Sequence, residues 1–260
     1  MTTTHALFGS LAVDRLTGAQ SVDAIGRLIA QGHGGYVVTP NVDHIVMARG
    51  NRRLRAAYRR AALSLADGQP LIWMSRLLGT PLPEKISGAD LIWRVAEEAE
   101  RKGWRVFLYG ASPIVSMNAD RKLRETYPAL KIVGRNATWW DGRNATDVVA
   151  QIRASQADIV IVALGCPKQE MWMRRHATMI APAVALGLGG SLDFVAGAVR
   201  RAPSWMSRLG LEWTYRLAQE PRRMAYRYLV RDARIAPIFA GLLLRRFFSG
   251  ARPRVARVSN

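Results

Sequence analysis

The sequence ADIVIVALGCPKQE, residues 157–170, decides the fold class of this chain. Its first half is an apolar run of the length of a buried strand, and Gly165 ends that run. We predict that a helix begins at Pro167, because proline is favoured at the first helical position, where no N–H is needed. Such a loop presents backbone N–H groups and the positive end of a helix dipole, which suits a diphosphate. An ordinary strand-to-helix turn would have the same pattern.

Short apolar runs and helical stretches alternate along the first 196 residues. The predicted strands are 35–38, 62–65, 104–109, 130–133, 158–164 and 183–186. The predicted helices are 43–60, 89–102, 113–127, 146–155 and 168–180. This alternation is typical of a parallel sheet with helices on both faces, so we predict a Rossmann-like α/β core over residues 1–196.

The remaining residues, 197–260, differ in composition from the core. From Ala196 onward there are fourteen arginines, no lysine and three acidic residues, which gives +11 of the chain's net charge of +19. We predict a C-terminal, membrane-associated appendage of two or three arginine-rich helices without strands. So basic a balance indicates a polyanionic partner, which is a nucleic acid, an anionic membrane surface or a phosphorylated substrate.

Several classes of protein are disfavoured by what the sequence lacks. Cys166 is the only cysteine, so there is no internal disulfide, and a reducing compartment fits. Asp14 and Arg15 interrupt the apolar stretch near the N-terminus, which is unlike a secretory signal. No apolar run approaches the roughly 20 residues of a membrane-spanning helix. We therefore expect a soluble or peripheral protein.

Metal and cofactor motifs are also lacking. The four histidines are scattered, a single cysteine cannot build a zinc site, and there is no Asp-x-Asp pair for a metal-bound diphosphate. There is no Walker loop and no Gly-x-Gly-x-x-Gly fingerprint. Cys166 as a nucleophile would need a general base that the sequence does not reveal, so we expect it to be a packing residue.

Polar and glycine residues gather where the predicted strands end, which is the edge at which α/β sheets bind ligands. Asp67 stands there before a glycine, so it is either a turn-former or a general base. Thr39 and Asn41 either cap the next helix or bind a sugar or phosphate. Asp193 is either a capping residue or a ligand of ribose hydroxyls.

In order and spacing, these motifs resemble the WecG/TagA/CpsF family of bacterial glycosyltransferases over nearly the whole chain. The matching segments are TPN (39–41), ADGQP (66–70), GTPLP (79–83), SGAD (87–90), FLYG (107–110), GCPKQE (165–170), GLGGSLDFVAG (187–197), RAP (201–203), GLEW (210–213), Arg216, and Glu220 with Pro221.

The resemblance implies a fold of the GT-E type and an inverting, metal-independent glycosyltransferase. Such an enzyme transfers a sugar from a UDP-sugar to a polyprenyl-diphosphate-linked saccharide in cell-surface polysaccharide synthesis. It implies a peripheral protein at the cytoplasmic face of the inner membrane that needs no cofactor. N-acetylmannosamine, its uronic acid and glucose are all sugars that such relatives transfer.

The resemblance also assigns roles to residues. Asp67 would be the base, with Thr39 and Asn41 beside it. The donor would lie near seven residues, Gly110, Gly165, Pro167, Gln169, Gly189, Gly190 and Asp193. The diphosphate or acceptor would meet Arg201, Arg216, Arg223 and Arg227, with Arg222 as the alternative to Arg223. These roles are chemically consistent, because arginines and helix N-termini can stabilise a departing UDP without a metal.

Two other classes of protein remain as alternatives. Arginines with aromatic residues would also suit a nucleic-acid-binding protein, but no nucleic-acid motif is present, so we expect no nucleic acid as partner. A nucleotide-cofactor enzyme on the same fold is the other alternative, which the missing dinucleotide fingerprint disfavours. The acceptor sugar and the oligomeric state, a homo-oligomer included, stay open.

Overall fold

The computed structural model describes residues 5–143 and 145–249, except for the side chains of Ser204, Arg208, Arg223 and Ser249. The chain begins with a hairpin that the sequence did not predict, β1 (His5–Phe8) paired antiparallel with β2 (Leu11–Asp14). A buried carboxylate joins this hairpin to the core, because Asp14 Oδ2 accepts a hydrogen bond of 2.7 Å from the backbone of Ser64.

The core is a six-stranded sheet in which every neighbouring pair is parallel. Its strands are β3 (Gly35–Val38), β4 (Leu63–Ser64), β5 (Arg105–Gly110), β6 (Lys131–Asn136), β7 (Ile159–Ala163) and β8 (Val184–Gly187). Their spatial order is β4-β3-β8-β7-β5-β6. All six were predicted, since strands buried on both faces are continuous apolar runs, and β7 is buried throughout.

Nine helices precede residue 197 in the described residues. They are α1 (Gly18–Gln31), α2 (Val42–Gly50), α3 (Arg52–Arg60), α4 (Gln69–Leu77), α5 (Gly88–Lys102), α6 (Pro113–Thr126), α7 (Thr146–Ser155), α8 (Lys168–His176) and α9 (Ser191–Val195). Apolar side chains cover both faces of the sheet: Trp172 and Leu54 belong to one cluster, and Leu91 and Leu123 to the other. The predicted Rossmann-like arrangement is confirmed.

Two of the predicted helix ranges were wrong. The helix expected over 43–60 is two helices, because the side chain of Asn51 accepts a 3.0 Å bond from the backbone of Leu54 and starts α3. Helix α8 begins at Lys168, as in the predicted range 168–180, with Pro167 just before it, and it ends at His176 instead of residue 180. Helices α1, α4 and α9 were not predicted.

The C-terminal segment is more broken than the two or three helices expected. It comprises α10 (Ser204–Arg208), α11 (Glu212–Gln219), α12 (Pro221–Ala225), a π-helical stretch (Tyr226–Arg231), a 3₁₀ turn (Asp232–Arg234) and α13 (Ile235–Ser249). Its part up to residue 249 contains no strand, as predicted.

Helix α13 packs against the core. Ile235, Ile238 and Phe239 are partly buried against the apolar cluster that contains Trp172. None of the helices between residues 5 and 249 combines the length and the apolar character that crossing a bilayer requires. Whether residues from 197 onward form a separate unit stays a prediction.

Candidate active site

A cavity of about 400 Å³ lies between the core and the C-terminal segment, beyond the carboxyl ends of β3 and β4. The core lines it with Asn41, Val42, Asp43, Asp67, Gly68, Gln69, Pro70 and Lys85. The C-terminal segment lines it with Ser207, Gly210, Glu212, Trp213, Arg216, Arg227, Tyr228, Asp232, Ala233 and Ile235. The cavity lies at the edge where a parallel sheet binds its ligands.

Asp67 lies in this cavity between β4 and α4. Its backbone N–H donates to the carbonyl of Pro40 at 2.9 Å, which fixes the two strand ends side by side. The turn itself depends on Gly68, whose φ of +106° suits glycine. The carboxylate lies in the cavity wall, where the side chain of Asn41 hydrogen-bonds it. The turn therefore requires Gly68 and does not require the carboxylate of Asp67, which faces the cavity.

The surroundings of Asp67 raise its pKa to about 6. Burial is the largest cause, because it disfavours the charged form, and the negative charge of Glu212 adds to the effect. Lys85, the hydrogen bond from Asn41 and Arg227 act in the opposite direction. Asp67 is thus a stronger base than an ordinary aspartate, yet it is mostly ionised at neutral pH.

Asn41 has the capping role, one of the two that the sequence left open, and binding of a sugar or phosphate by it stays a prediction. Its Oδ1 accepts a hydrogen bond from the backbone of His44 at 3.3 Å and caps α2, and its side chain also contacts Asp67. Thr39, in contrast, is buried and donates through Oγ1 to the carbonyl of Gly187 at 2.9 Å. It joins the ends of β3 and β8 and does not line the cavity.

Lys85 is a cavity residue that the sequence reasoning missed. Its Nζ donates to Ser207 Oγ at 2.7 Å and to Glu212 Oε2 at 3.1 Å. Only 14 % of its side chain is exposed, so its charge lies in a weakly screened position. The sequence could have indicated Lys85, because this residue lies between the GTPLP and SGAD segments, both of which match the family pattern.

Arg216 and Arg227 line the cavity, and their contact with a diphosphate stays a prediction. The guanidinium of Arg216 lies over the ring of Phe194, 5.2 Å from its centroid, and its Nε is 3.7 Å from Glu220 Oε2. Glu212 and Arg216 also lie on one face of α11, as their spacing predicted.

A buried carboxylate that the sequence did not single out holds Arg227. Asp43 Oδ2 lies 3.1 Å from Arg227 Nε, and both of its oxygens also contact Arg231. The adjacent His44 is neutral, since burial and the positive charges of Arg227 and Arg231 lower its pKa to about 3. Asp43 therefore positions two arginines of the C-terminal segment at the start of α2.

Arg201 does not line the cavity in the part of the chain that the structure describes. Arg201 pairs with Asp90 Oδ1 at 2.7 Å, in the first turn of α5. The side chain of Arg223 lies outside the described residues, and that of its alternative, Arg222, is exposed. Their roles towards a diphosphate stay predictions.

The glycine-rich strand ends that were assigned to the donor lie outside the cavity lining. Gln169 is 1 % exposed; its Oε1 accepts from the backbone of Gly189 at 3.0 Å, and its Nε2 donates to Glu170 at 2.9 Å. It thus fixes the turn after β8. Gly110 is required by close packing, because a Cβ atom there would be 2.7 Å from the carbonyl of Ala163.

Gly190 connects this region with the cavity. A Cβ atom at Gly190 would lie 3.3 Å from Arg216 Nη2 and 3.2 Å from the carboxylate of Asp193. Gly165, Pro167 and Asp193 are half-buried. The prediction that these residues contact a donor is untested.

One cluster in the described residues has the composition of a metal site. Ligand atoms of His44, Cys166 and Glu170 lie within 4.8 Å of one another. All three have protein partners, however: His44 Nδ1 is 2.9 Å from the hydroxyl of Tyr58, and the thiol bonds Glu170. Burial and Glu170 raise the pKa of the Cys166 thiol well above its ordinary value, which fits a packing residue.

A parallel α/β sheet whose edge holds a strengthened carboxylate base beside several cations has the layout of a group-transfer enzyme for phosphorylated substrates. Residues 6–253 match the family model described as "Glycosyl transferase WecG/TagA/CpsF family". The chain belongs to this family and is a glycosyltransferase of the hexosyl-transferring class.

Two similar proteins are both named N-acetylglucosaminyldiphosphoundecaprenol N-acetyl-beta-D-mannosaminyltransferase. The protein of Bacillus spizizenii is 37% identical over 195 residues, which cover 74% of each chain. The protein of Bacillus subtilis strain 168 is 42% identical over 159 residues, which cover 61% of each chain.

Proposed function

We propose that this enzyme transfers N-acetylmannosamine, with inversion, from a UDP-sugar to a saccharide linked to polyprenyl diphosphate, in cell-surface polysaccharide synthesis. The names of the two relatives support this sugar over its uronic acid and glucose, and they support N-acetylglucosaminyl diphosphoundecaprenol as the acceptor. The observation that carries the proposal is the position of Asp67, a base with a pKa of about 6, in a cavity that also holds Lys85, Arg216 and Arg227.

In this mechanism Asp67 accepts the proton of the acceptor hydroxyl. The acceptor oxygen then bonds to the anomeric carbon from the face opposite to the nucleotide, while the bond from that carbon to the diphosphate oxygen breaks and UDP leaves. A single base suffices for such a one-step displacement. General base catalysis of this kind contributes about 10²- to 10⁴-fold to the rate.

The cations of the cavity take the role that a divalent metal has in other transferases. Negative charge develops on the diphosphate as the bond to the sugar breaks, and fixed positive groups stabilise it without reorganisation. Lys85, Arg216 and Arg227 are the candidates, because they line the same cavity as the base. We therefore propose that the enzyme needs neither a metal nor a cofactor.

A lipid-linked acceptor requires that the enzyme work at a membrane surface. Exposed apolar side chains are frequent in the C-terminal segment: Trp205, Leu209, Trp213, Tyr226, Leu229, Leu244, Phe247 and Phe248. Arginines lie among them, and each basic residue near an anionic surface contributes about 1 kcal/mol to binding. Together these features support peripheral binding at the cytoplasmic face of the membrane.

The test is release of UDP from a panel of UDP-sugars in the presence of N-acetylglucosaminyl diphosphoundecaprenol. We expect UDP-N-acetylmannosamine to give the fastest release, and the product to be a β-linked disaccharide on the lipid. Omission of the acceptor should abolish release. No transfer from any UDP-sugar to this acceptor by the folded protein would contradict the proposal.

A further inference from the structure

Glu212 connects the C-terminal segment with the core inside the cavity. It is the first residue of α11, and its Oε2 lies 3.1 Å from Lys85 Nζ and 3.0 Å from Ser207 Oγ. Lys85 also donates to Ser207 Oγ at 2.7 Å, so the three groups form a closed set of hydrogen bonds. Lys85 belongs to the core, whereas the other two belong to the C-terminal segment.

The charged and titratable groups around Asp67 come from several elements. Lys85 comes from the loop before α5, Glu212 from α11 and Arg227 from the π-helical stretch. Arg201, Tyr58 and Tyr228 also interact with the charge of Asp67. Burial raises the pKa of both tyrosines, so they stay neutral. Among these groups Glu212 is the one carboxylate; Asp43 and Asp232 also line the cavity, where they face Arg227.

We propose that Glu212 is a positioning residue for sugar transfer: it holds Lys85 by a hydrogen bond in the cavity that Asp67 also lines, so the charges that face Asp67 depend on docking of the C-terminal segment. This inference rests on the proposed function, in which Asp67 is the base. It differs from the role of the arginines, because Glu212 acts on the acceptor's proton and the arginines act on the diphosphate.

The physical reason is the balance of charges around one carboxylate. Lys85 alone would stabilise ionised Asp67 and weaken it as a base, since an opposite charge favours the ionised form. Glu212 offsets the charge of Lys85 and adds a like charge, so Asp67 holds a proton more strongly. If the segment undocks, water reaches Asp67 and Glu212 leaves while Lys85 stays; burial and Glu212 are the two largest causes of the raised pKa, so their loss outweighs that of Arg227 and the base weakens. Full base strength is thereby restricted to the docked enzyme.

The experiment is the pH dependence of kcat with saturating substrates. Glu212→Gln removes the negative charge at nearly the same shape, so the acid limb of the profile should move to lower pH by at least about 0.5 unit. Lys85→Met should move it to higher pH. Glu212→Asp keeps the charge and should lie close to the wild type. Glu98→Gln makes the same change of charge on the outer side of α5 and should have no effect.

A direct measurement separates Asp67 from other acids of the cavity, since Asp232 also has a pKa raised to about 6 by burial and by Asp43. Protein labelled with ¹³C at aspartate carboxyls would be titrated by NMR, and the Asp67 signal assigned by its loss in Asp67→Asn. The Asp67 midpoint should fall in Glu212→Gln and rise in Lys85→Met.

The outcomes distinguish this inference from the proposed function. The inference would be overturned, even in an active enzyme, if Glu212→Gln left the titration midpoint of Asp67 unchanged. It would also be overturned if Glu212→Gln and Lys85→Met moved that midpoint in the same direction. A Glu212→Asp profile displaced as far as that of Glu212→Gln would reduce Glu212 to a structural role. Absence of sugar transfer in the wild type would instead overturn the proposed function, and the NMR titration would still test the coupling between Glu212 and Asp67.

Discussion

The Nε atom of Arg227 lies 3.1 Å from Oδ2 of Asp43, so a cation of the C-terminal segment is bound to the first turn of a core helix. Arg231 contacts the same carboxylate. Asp43 is 4 % exposed, and its negative charge lies in the first turn of α2, where the helix dipole favours it. This ion-pair cluster fixes Arg227 beside the cavity.

Replacement of Asp43 should loosen the C-terminal segment. Asp43→Asn leaves two arginines without their partner, and we expect a loss of about 1–3 kcal/mol in the free energy of unfolding, because both arginines are partly exposed and water can screen them. Amide hydrogen exchange should become faster in α13. Glu97→Gln, on the exposed side of α5, is the control. Equal protection of α13 in both variants would contradict the role of Asp43.

Replacement of Asp67 should lower activity. Asp67→Asn should reduce kcat by about 10²- to 10⁴-fold while the affinity for UDP changes little. In the wild type, kcat should fall as the pH is lowered through about 6, because protonated Asp67 cannot accept a proton. Initial rates and UDP titrations measure both. A folded variant with near-normal turnover would exclude Asp67 as the base.

The same substitution should stabilise the fold at neutral pH. The pKa of folded Asp67 is raised from 3.8 to about 6, so its contribution to stability is complete below about pH 4 and is lost as the pH rises through about 6. Asparagine avoids this cost. We expect a gain of about 1–2 kcal/mol at pH 7.5, less than the full shift implies, since the cavity admits water. Urea denaturation at pH 7.5 and pH 4 would show the gain only at the higher pH; a gain of the same size at both values would exclude this explanation.

Removal of divalent metals should leave the rate unchanged. The cavity supplies positive charge through Lys85, Arg216 and Arg227. Initial rates with and without EDTA measure the effect. A rate that EDTA abolishes and that Mg²⁺ or Mn²⁺ restores would show that these side chains do not suffice.

Membrane binding should depend on the aromatic end of α13. Phe247 and Phe248 are 78% and 85% exposed, so replacing both with serine should reduce flotation with anionic liposomes and leave folding intact. Ile114→Ser, at a residue of α6 that is 68% exposed, is the control. Binding should weaken in 1 M salt, where the Debye length is about 3 Å. Flotation equal to that of the wild type would place the membrane contact elsewhere.

The sequence was sufficient to predict the sheet, because parallel strands buried on both faces are continuous apolar runs. The sequence was less informative for elements whose polar and apolar residues do not alternate with the period of a strand or a helix. The hairpin β1–β2, which forms a separate two-stranded sheet, was missed. Helix α4 was missed because its start depends on the backbone conformation of Gly68, which sequence patterns do not reveal.

The candidate site divides in the same way. The chain order placed Asp67 and Asn41 at neighbouring strand ends, so their meeting in one cavity could be anticipated from topology. Thr39 and Gln169 also lie at strand ends, but their side chains bond within the protein. Sequence position determines which edge of the sheet a residue reaches, whereas packing decides which way its side chain points.

The sequence by itself determined the parallel α/β core, the family, the basic C-terminal segment and the carboxylate at its strand end. These features follow from local order and composition, which a single chain displays directly. Only the tertiary structure decided that Lys85 meets Glu212, 127 residues away, that Asp43 holds Arg227 and Arg231, and that Asp67 has a raised pKa. Those relations arise where segments that are remote in the chain pack together and exclude water. The pattern of polar and apolar residues along the chain does not reveal which segments meet.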